Sequence, residues 1–178
     1  MNSDTKLKEL SLYIAEKSKD DPSFGAIKLN KILFLADFRC YGMTGQAITD
    51  TEYVHRENGP APRRMLVILE SIKDEKRGII VERQYRHYKQ KRLMPLTEVS
   101  AGTFTEEELS FVNEAIDHFK PMDATSASLW THNLIPWRLT KEGEKIPYYT
   151  LFSLNPRPPL EKEAIDWAKA EIVRIEGQ

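Results

Sequence analysis

The sequence predicts a mostly helical α+β fold, in which helices surround one central buried helix and a small antiparallel β-hairpin completes the domain. Three patterns carry this prediction. Apolar residues recur at helical spacing in several segments, the segment from Lys28 to Tyr41 is apolar on almost every side, and a short stretch after Gly78 has the residue types of paired strands. A chain of 178 residues can bury a sizeable core, so we expect a single compact domain over residues 1–178.

The composition is that of a globular protein with no bias toward nucleic acid or membranes. Hydrophobic residues make up 40% and charged residues 30% of the chain, and 26 basic residues nearly balance 27 acidic ones. The longest apolar run, residues 32–36, is far shorter than the ~20 residues that span a bilayer. The first ten residues lack the apolar core of a signal peptide. We therefore expect a cytoplasmic protein without membrane contact.

Two helices are predicted in the N-terminal quarter of the chain. The first begins after Ser3 or Asp4, because both residue types cap helices well. The second runs from about residue 28 to 41 and ends at Gly42 and Gly45, since glycine readily adopts the left-handed conformation that terminates a helix. One stripe of this second helix consists of Leu29, Leu33, Ala36 and Cys40. Further apolar residues flank that stripe, so the helix should be buried on most sides.

A third helix and a hairpin are predicted next. The helix follows Pro62, carries apolar residues at helical spacing and ends near Gly78. Residues 79–81 and 88–94 then have the β-branched and aromatic content of two strands, with a turn between them.

Three more helices are predicted in the second half. Thr105 and Glu108 have the spacing of a capping box, which predicts a helix that Pro121 ends. A shorter helix follows Asp123 and is expected to stop at Pro136. The last helix follows residues 158–159, and its apolar stripe consists of Ile165, Ala168, Ile172 and Ile175.

Asn30 and Asp37 are polar residues on the otherwise apolar second helix. Their spacing of seven residues places them on one face. One interpretation is that they anchor a partner or brace a nearby loop, because polar groups on so apolar a helix usually have partners. The alternative is that they mark its solvated strip, together with Lys31 or Arg39.

The stretch from Tyr53 to Pro62 combines an aromatic residue, charged residues and a rigid turn. Gly59 permits a bend, while Pro60 and Pro62 each fix a backbone angle and withhold a donor. Such a preorganised loop, which includes Asn58, can present side chains to a partner at low entropic cost. It can equally be a structural connection into the third helix.

The hairpin carries a basic, tyrosine-containing segment, residues 83–92. Its basic residues are Arg83, Arg86, Lys89, Lys91 and Arg92. Cations interleaved with aromatics can follow a phosphate backbone and stack on bases, as the wing of a winged-helix protein does. Long cations on an edge hairpin also discourage sheet aggregation, which is the competing interpretation.

Catalytic chemistry is weakly supported by the sequence. Cys40 lies on the buried stripe of the second helix, where a free cysteine is ordinarily an inert small hydrophobe. Its potential histidine partners are His55, His87, His118 and His132, and none of them has metal-binding spacing to another. We therefore predict a protein that is not an enzyme and holds no metal or cofactor. His132 and Trp137 form either a small aromatic-polar pocket or part of the core.

Several segments together resemble the SocA-like antitoxin family, also called the Panacea domain. The first block comprises Lys28-Leu29-Asn30-Lys31-Ile32-Leu33-Phe34, Ala36-Asp37, Gly42 to Gly45, Tyr53 and Gly59-Pro60. The second is Ser126-Ala127-Ser128-Leu129-Trp130-Thr131-His132 followed by Trp137, in which Trp130 departs from the family pattern. A hairpin and a capped helix lie between the two blocks, as in the family.

The resemblance implies an antitoxin that neutralises a cognate toxin, encoded beside it, by direct binding. In one family member the antitoxin is a proteolytic adaptor that delivers its toxin to a ClpXP-type protease, and relatives occur in phage and other mobile elements. The family offers no shared catalytic residues. On this resemblance, the candidate partner-binding residues are Asn30, Asp37, Tyr53, Asn58, Gly59, Pro60, His132 and Trp137. A nucleic-acid-binding regulator that uses residues 83–92 is the alternative.

Overall fold

The computed structural model describes residues 2–86, 88–98 and 101–153. The helix expected after residue 159 lies outside the described residues, and so does His87.

The central element is helix α2, Ala26–Thr44, which extends beyond its predicted bounds at both ends. Leu33 and Phe34 are almost completely buried, so the prediction of a central buried helix is confirmed. The helix ends at Gly45, which adopts a left-handed conformation with φ 78°. The prediction that Gly42 ends the helix is wrong, because Gly42 lies inside it. A Cβ at Gly42 would approach Leu151 Cδ2 to 2.6 Å, so this glycine permits close packing.

Helix α1, Ser3–Lys17, contacts both the central helix and helix α3, Met65–Asp74. The cap of α1 is Asn2 rather than Ser3 or Asp4. The Asn2 side chain accepts a hydrogen bond from the Thr5 backbone N–H at 2.8 Å, which satisfies one of the free donors at the helix start.

Two antiparallel sheets accompany the helices. Strands β1, Tyr53–Val54, and β2, Ala61–Pro62, pair with each other. Strands β3, Gly78–Tyr85, and β4, Tyr88–Pro95, form the predicted hairpin, which is confirmed. Strand β5, Lys145–Ile146, adds to the other edge of β1, giving the order β2-β1-β5. The sequence did not predict this second sheet.

Two further helices, α4 and α5, pack against α2, and a short helix α6 follows α5. Helix α4, Glu106–Phe119, begins with the predicted capping box, which is confirmed: Thr105 Oγ1 accepts from the Glu108 N–H at 3.1 Å, and Glu108 Oε2 accepts from the Thr105 N–H at 2.8 Å. Helix α5, Ala124–His132, ends four residues before Pro136. Pro136 instead lies in the first turn of helix α6, Ile135–Arg138, where a missing N–H costs nothing.

Two short 3₁₀ segments, Ala101–Thr103 and Tyr148–Phe152, complete the described chain. The second contacts α2 and α6. The mostly helical α+β fold is thus confirmed. Within the described residues, no helix combines the length and apolar character needed to cross a membrane.

Candidate partner-binding site

Asp37 anchors the loop that follows α2. Its carboxylate is completely buried and accepts hydrogen bonds from the Thr49 N–H at 2.8 Å, the Thr49 hydroxyl at 2.6 Å and the Tyr53 hydroxyl at 2.8 Å. Burial raises the pKa of the Asp37 carboxyl, and the bonds from Thr49 and Tyr53 oppose that rise. The carboxylate therefore fixes the loop and the start of β1 to the central helix.

Tyr53 belongs to the core as well. Its side chain has no exposed surface, and its ring packs edge-on against Phe34 at 5.2 Å and Phe38 at 5.8 Å between ring centroids. Neither Asp37 nor Tyr53 can touch a partner directly, since both are fully buried. Their expected role as contacts is corrected to support for the neighbouring loop.

Lys31 supports the Gly59-Pro60 turn from beneath. Its ammonium group donates to the Pro60 carbonyl at 3.0 Å, and the residue is 1% exposed. Burial lowers the pKa of Lys31 to about 7, because the charged form is poorly solvated there. The interpretation that Lys31 marks a solvated strip of α2 is therefore wrong. Arg39 is exposed and pairs with Glu114 at 3.0 Å.

Gly59 is required at the turn for two reasons. Its φ of 91° lies in the region that side chains other than glycine rarely adopt. A Cβ there would also come within 2.6 Å of Thr131 Oγ1 and 2.8 Å of Lys31 Nζ. The turn is thus packed directly on α5 and on the buried lysine.

Three aromatic rings stack behind this turn. The Trp137 ring lies between His55 and His132, with 4.1 Å between ring centroids on each side and interplanar angles of 25° and 14°. His55 Nδ1 lies 3.1 Å from Thr140 Oγ1. Burial, and then the nearby Lys31 charge, lower the pKa of His132, which favours the neutral ring. The stack connects β1 to the end of α5.

Two buried polar atoms in the stack are unpaired. Within the described part of the chain, His132 Nε2 and Trp137 Nε1 have no hydrogen-bond partner. Asn30 Oδ1, on α2, also has no hydrogen-bond partner among the described residues, and Asn30 is half-buried. Such atoms are uncommon in protein interiors and often belong to places where a partner or water binds.

The exposed part of the turn faces a shallow pocket beside α5. Residues 56–58 are exposed, and the Asn58 carbonyl accepts a hydrogen bond from Ser128 Oγ at 3.0 Å. The pocket has a volume of about 330 Å³. Its lining includes Asn58, Tyr88, Ser128, Leu129 and His132. Leu129 is 59% exposed and Tyr88 40% exposed, so the surface mixes apolar and polar groups.

The structure therefore gathers most of the predicted candidates on one side of the molecule. Asn58 and His132 line the pocket, the buried Gly59 and Pro60 follow Asn58 in the turn, and Trp137 stacks on His132. The sequence analysis did not identify Lys31, His55 or Thr131 as parts of this arrangement. The available signal for Lys31 was a lysine within an otherwise apolar helix.

Lys28 is a second buried lysine that sequence reasoning missed. Its ammonium donates to Asp21 Oδ2 at 2.5 Å, Ser23 Oγ at 2.9 Å and the Met122 carbonyl at 2.8 Å. These bonds tie the loop before α2 to the connection between α4 and α5. Lys28 is thus a structural residue of the fold.

Arg92 does not belong to a nucleic-acid surface. It is 4% exposed and donates to the backbone carbonyls of Ser18 and Asp21, each at 2.8 Å, at the C-terminal end of α1. Burial lowers the pKa of its guanidinium. The role of Arg92 as a phosphate contact is corrected, since its donors are occupied inside the protein.

The other basic residues of the hairpin are exposed. Arg86 lies 3.5 Å from Asp123, and Lys89 lies 4.0 Å from Glu82. Arg83 and Lys91 are exposed on β3 and β4. Nearby acidic groups therefore reduce the positive potential that a phosphate backbone would need.

No catalytic arrangement emerges around Cys40. Its thiol is 4% exposed and lies 3.7 Å from Thr44 Oγ1, and burial raises its pKa, which disfavours the reactive thiolate. Among the described residues, no group of three or more histidine, cysteine or acidic side chains is placed to hold a metal ion.

The sequence profile of the family "Antitoxin SocA-like, Panacea domain" matches residues 29–138. The chain belongs to this family. The matched range runs from α2 through α6 and contains Lys31, Asp37, the Gly59-Pro60 turn and the ring stack. No curated protein and no solved structure matches the chain. The family supports an antitoxin role in general.

Proposed function

We propose that this protein neutralises a cognate toxin by binding it directly, on the surface formed by residues 56–58 and the exposed side of α5. We name this the turn–α5 surface: Arg56, Glu57, Asn58, Leu129 and His132. The proposal rests on the hydrogen bonds that hold the turn from inside the protein. Buried Lys31, and Ser128 from α5, hold backbone carbonyls at Pro60 and Asn58. A turn fixed in advance loses little conformational entropy when a partner binds.

The chemistry of the surface suits a protein partner. Leu129 offers an exposed apolar side chain, and Tyr88 adds an aromatic ring beside it. Arg56 and Glu57 offer both signs of charge at the rim. An apolar centre with a polar rim is the usual arrangement of protein interfaces.

The proposal further holds that binding involves no catalysis, that residues 1–178 form one domain and that the protein acts in the cytoplasm. The family supports the first point. The second is supported by α1, which lies outside the matched range but packs against α2, α3 and α4. A toxin gene beside this one is the expected source of the partner.

The test is co-expression with the neighbouring small gene. If that gene arrests growth, the wild-type protein should restore growth and co-purify with its product. Leu129→Asp should weaken co-purification by at least ~10-fold, because a charge would be buried at the interface centre. Leu96→Asp is the matched control, since Leu96 is 57% exposed and lies outside the surface. Equal loss with both variants, or no loss with either, would remove the turn–α5 surface from the proposal.

Blocking and delivery to a ClpXP-type protease are two modes of the proposed neutralisation. Blocking predicts that purified antitoxin inhibits purified toxin with no protease present. Delivery predicts that the toxin's half-life in cells falls when the antitoxin is present, and recovers when the protease is deleted. Toxin half-life measured in the two strains separates the modes.

A further inference from the structure

The pocket of the turn–α5 surface continues into a second pocket beside strand β4. The second pocket has a volume of about 280 Å³, and the first has about 330 Å³. Ile27, Tyr88 and Ala124 line both pockets, so the two form one groove at the starts of α2 and α5. Tyr88 lies where the pockets meet. The surface that can receive a partner is therefore longer than the turn and α5 alone.

The β4 end of the groove carries a net positive charge. Lys89 and Lys91 line the second pocket, whereas no acidic side chain of the described chain does. Glu82, on β3, lies 4.0 Å from the Lys89 ammonium and is also the residue paired with Lys91 across the hairpin. One carboxylate thus faces two exposed ammonium groups, and Lys91 makes no ion pair with a described residue.

The start of α2 adds to this positive charge. Gly25, at the cap position, supplies no side-chain hydrogen bond to the helix, and the first turn of α2 contains no acidic residue. The free backbone N–H groups of such a turn carry a partial positive charge. Gly25 and Ala26 line the second pocket together with the two lysines, so both contributions act on the same end of the groove.

These features favour one class of partner segment. Leu129 and Tyr88 give one end of the groove an apolar surface, and the lysines give the other end a positive one. An extended chain with an apolar side chain, followed or preceded by a carboxylate, complements both ends. A nucleic-acid duplex fits less well, because it needs a longer row of cations than these two lysines provide.

We propose that the groove binds an extended, acidic segment of the cognate toxin, with an apolar side chain against Leu129 and Tyr88 and a carboxylate beside Lys89 and Lys91. This inference rests on the proposed function, since it names the part of the toxin that the turn–α5 surface and its continuation recognise.

The affinity for the purified product of the neighbouring gene, measured by surface plasmon resonance at low and high salt, tests the proposal. Lys89→Gln/Lys91→Gln should bind at least ~5-fold more weakly at about 50 mM NaCl and less than ~2-fold more weakly at about 500 mM, because salt screens exposed charges. Lys73→Gln/Lys76→Gln is the matched control. Both of its lysines are exposed and lie outside the groove, so it loses the same charge and should bind as the wild type does.

A second pair of variants tests the apolar part of the groove. Tyr88→Ala should weaken binding at least ~5-fold at both salt concentrations, because salt does not screen an apolar contact. Tyr149→Ala is its control, since Tyr149 is 65% exposed and lies outside the groove. Among overlapping synthetic peptides that cover the toxin sequence, those that compete with the whole toxin should contain acidic and apolar residues.

The possible failures of the two proposals are distinguishable. Unchanged binding by Lys89→Gln/Lys91→Gln, with binding lost in Leu129→Asp, would overturn this inference and leave the proposed function in place. No binding of the toxin by the wild type would overturn both. Equal weakening by the two lysine double variants, or weaker binding to the DNA upstream of the gene instead of to the toxin, would also overturn this inference. The lysine variants decide the matter if Tyr88→Ala lowers the free energy of unfolding.

Discussion

Replacing Lys31 with methionine should change how the stability of the protein depends on pH. In the folded protein, burial lowers the pKa of Lys31 from 10.5 to about 7. Between pH 7 and 10.5 the unfolded chain therefore binds more protons than the folded protein, so this group adds stability as pH rises. Below pH 7 both states are protonated, and the full cost of burying the charge is present. Lys31→Met removes that cost at every pH.

The magnitude follows from the pKa. Between pH 6 and pH 9 the folded lysine loses its proton while the unfolded one keeps it. The free energy of unfolding of the wild type should therefore gain about 3 kcal/mol relative to Lys31→Met over this interval, at about 1.4 kcal/mol for each pH unit above 7. At pH 6 the variant should be the more stable protein, because an apolar side chain of similar length replaces a buried charge.

Urea denaturation followed by circular dichroism at pH 6, 7.5 and 9 measures these free energies. Comparing wild type with variant at each pH cancels the titration of groups that do not interact with Lys31; His132, whose pKa the Lys31 charge lowers, is not cancelled. Lys91→Met serves as the control, because Lys91 is exposed and its replacement should give a difference independent of pH. A wild-type-minus-Lys31→Met difference that is constant within about 0.5 kcal/mol from pH 6 to 9 would refute a buried, neutralised Lys31.

Three other substitutions should destabilise the protein, as measured by urea denaturation. Asp37→Ala should cost about 3–5 kcal/mol, because three buried donors lose their shared acceptor; an effect below about 1 kcal/mol would contradict the anchoring role. Gly59→Ala should cost at least about 2 kcal/mol through its positive φ and the contact with Thr131, and Asn58→Ala, in the same turn, should cost far less. Arg92→Ala should lower the free energy of unfolding by about 3 kcal/mol, because the carbonyls at the end of α1 lose their donor. It should leave the salt dependence of any DNA binding unchanged; a changed salt dependence would show that Arg92 contacts phosphate.

Elements with a strong local pattern were predictable from the sequence. The capping box at Thr105 and Glu108, the apolar periodicity of α2 and the strand composition of the hairpin each depend on residues close in the chain. The sheet β2-β1-β5 was not predictable, because strands of two residues carry no period and β5 lies about ninety residues from β1 along the chain. The sequence alone predicts a helix end at Gly42, since the packing partner that explains this glycine, Leu151, is distant in the chain and leaves no local signal.

In the candidate site, too, some features could be predicted from the sequence and others could not. The special backbone at Gly59 could be inferred from residue types alone. The positions of Lys31 and Asp37 could not, because the sequence does not reveal whether a polar side chain on an apolar helix faces water or a buried partner. The structure shows that both face inward and hold the loops that carry the exposed residues. Stacking of His55 on Trp137 likewise arises only from tertiary contacts.

Hydrogen exchange of the antitoxin with and without its purified cognate toxin tests the central claim most directly. The amides of residues 56–58 and of α5 should become more protected in the complex, because the toxin would cover the turn–α5 surface. Protection confined to another region, such as the β3–β4 hairpin, would contradict the account.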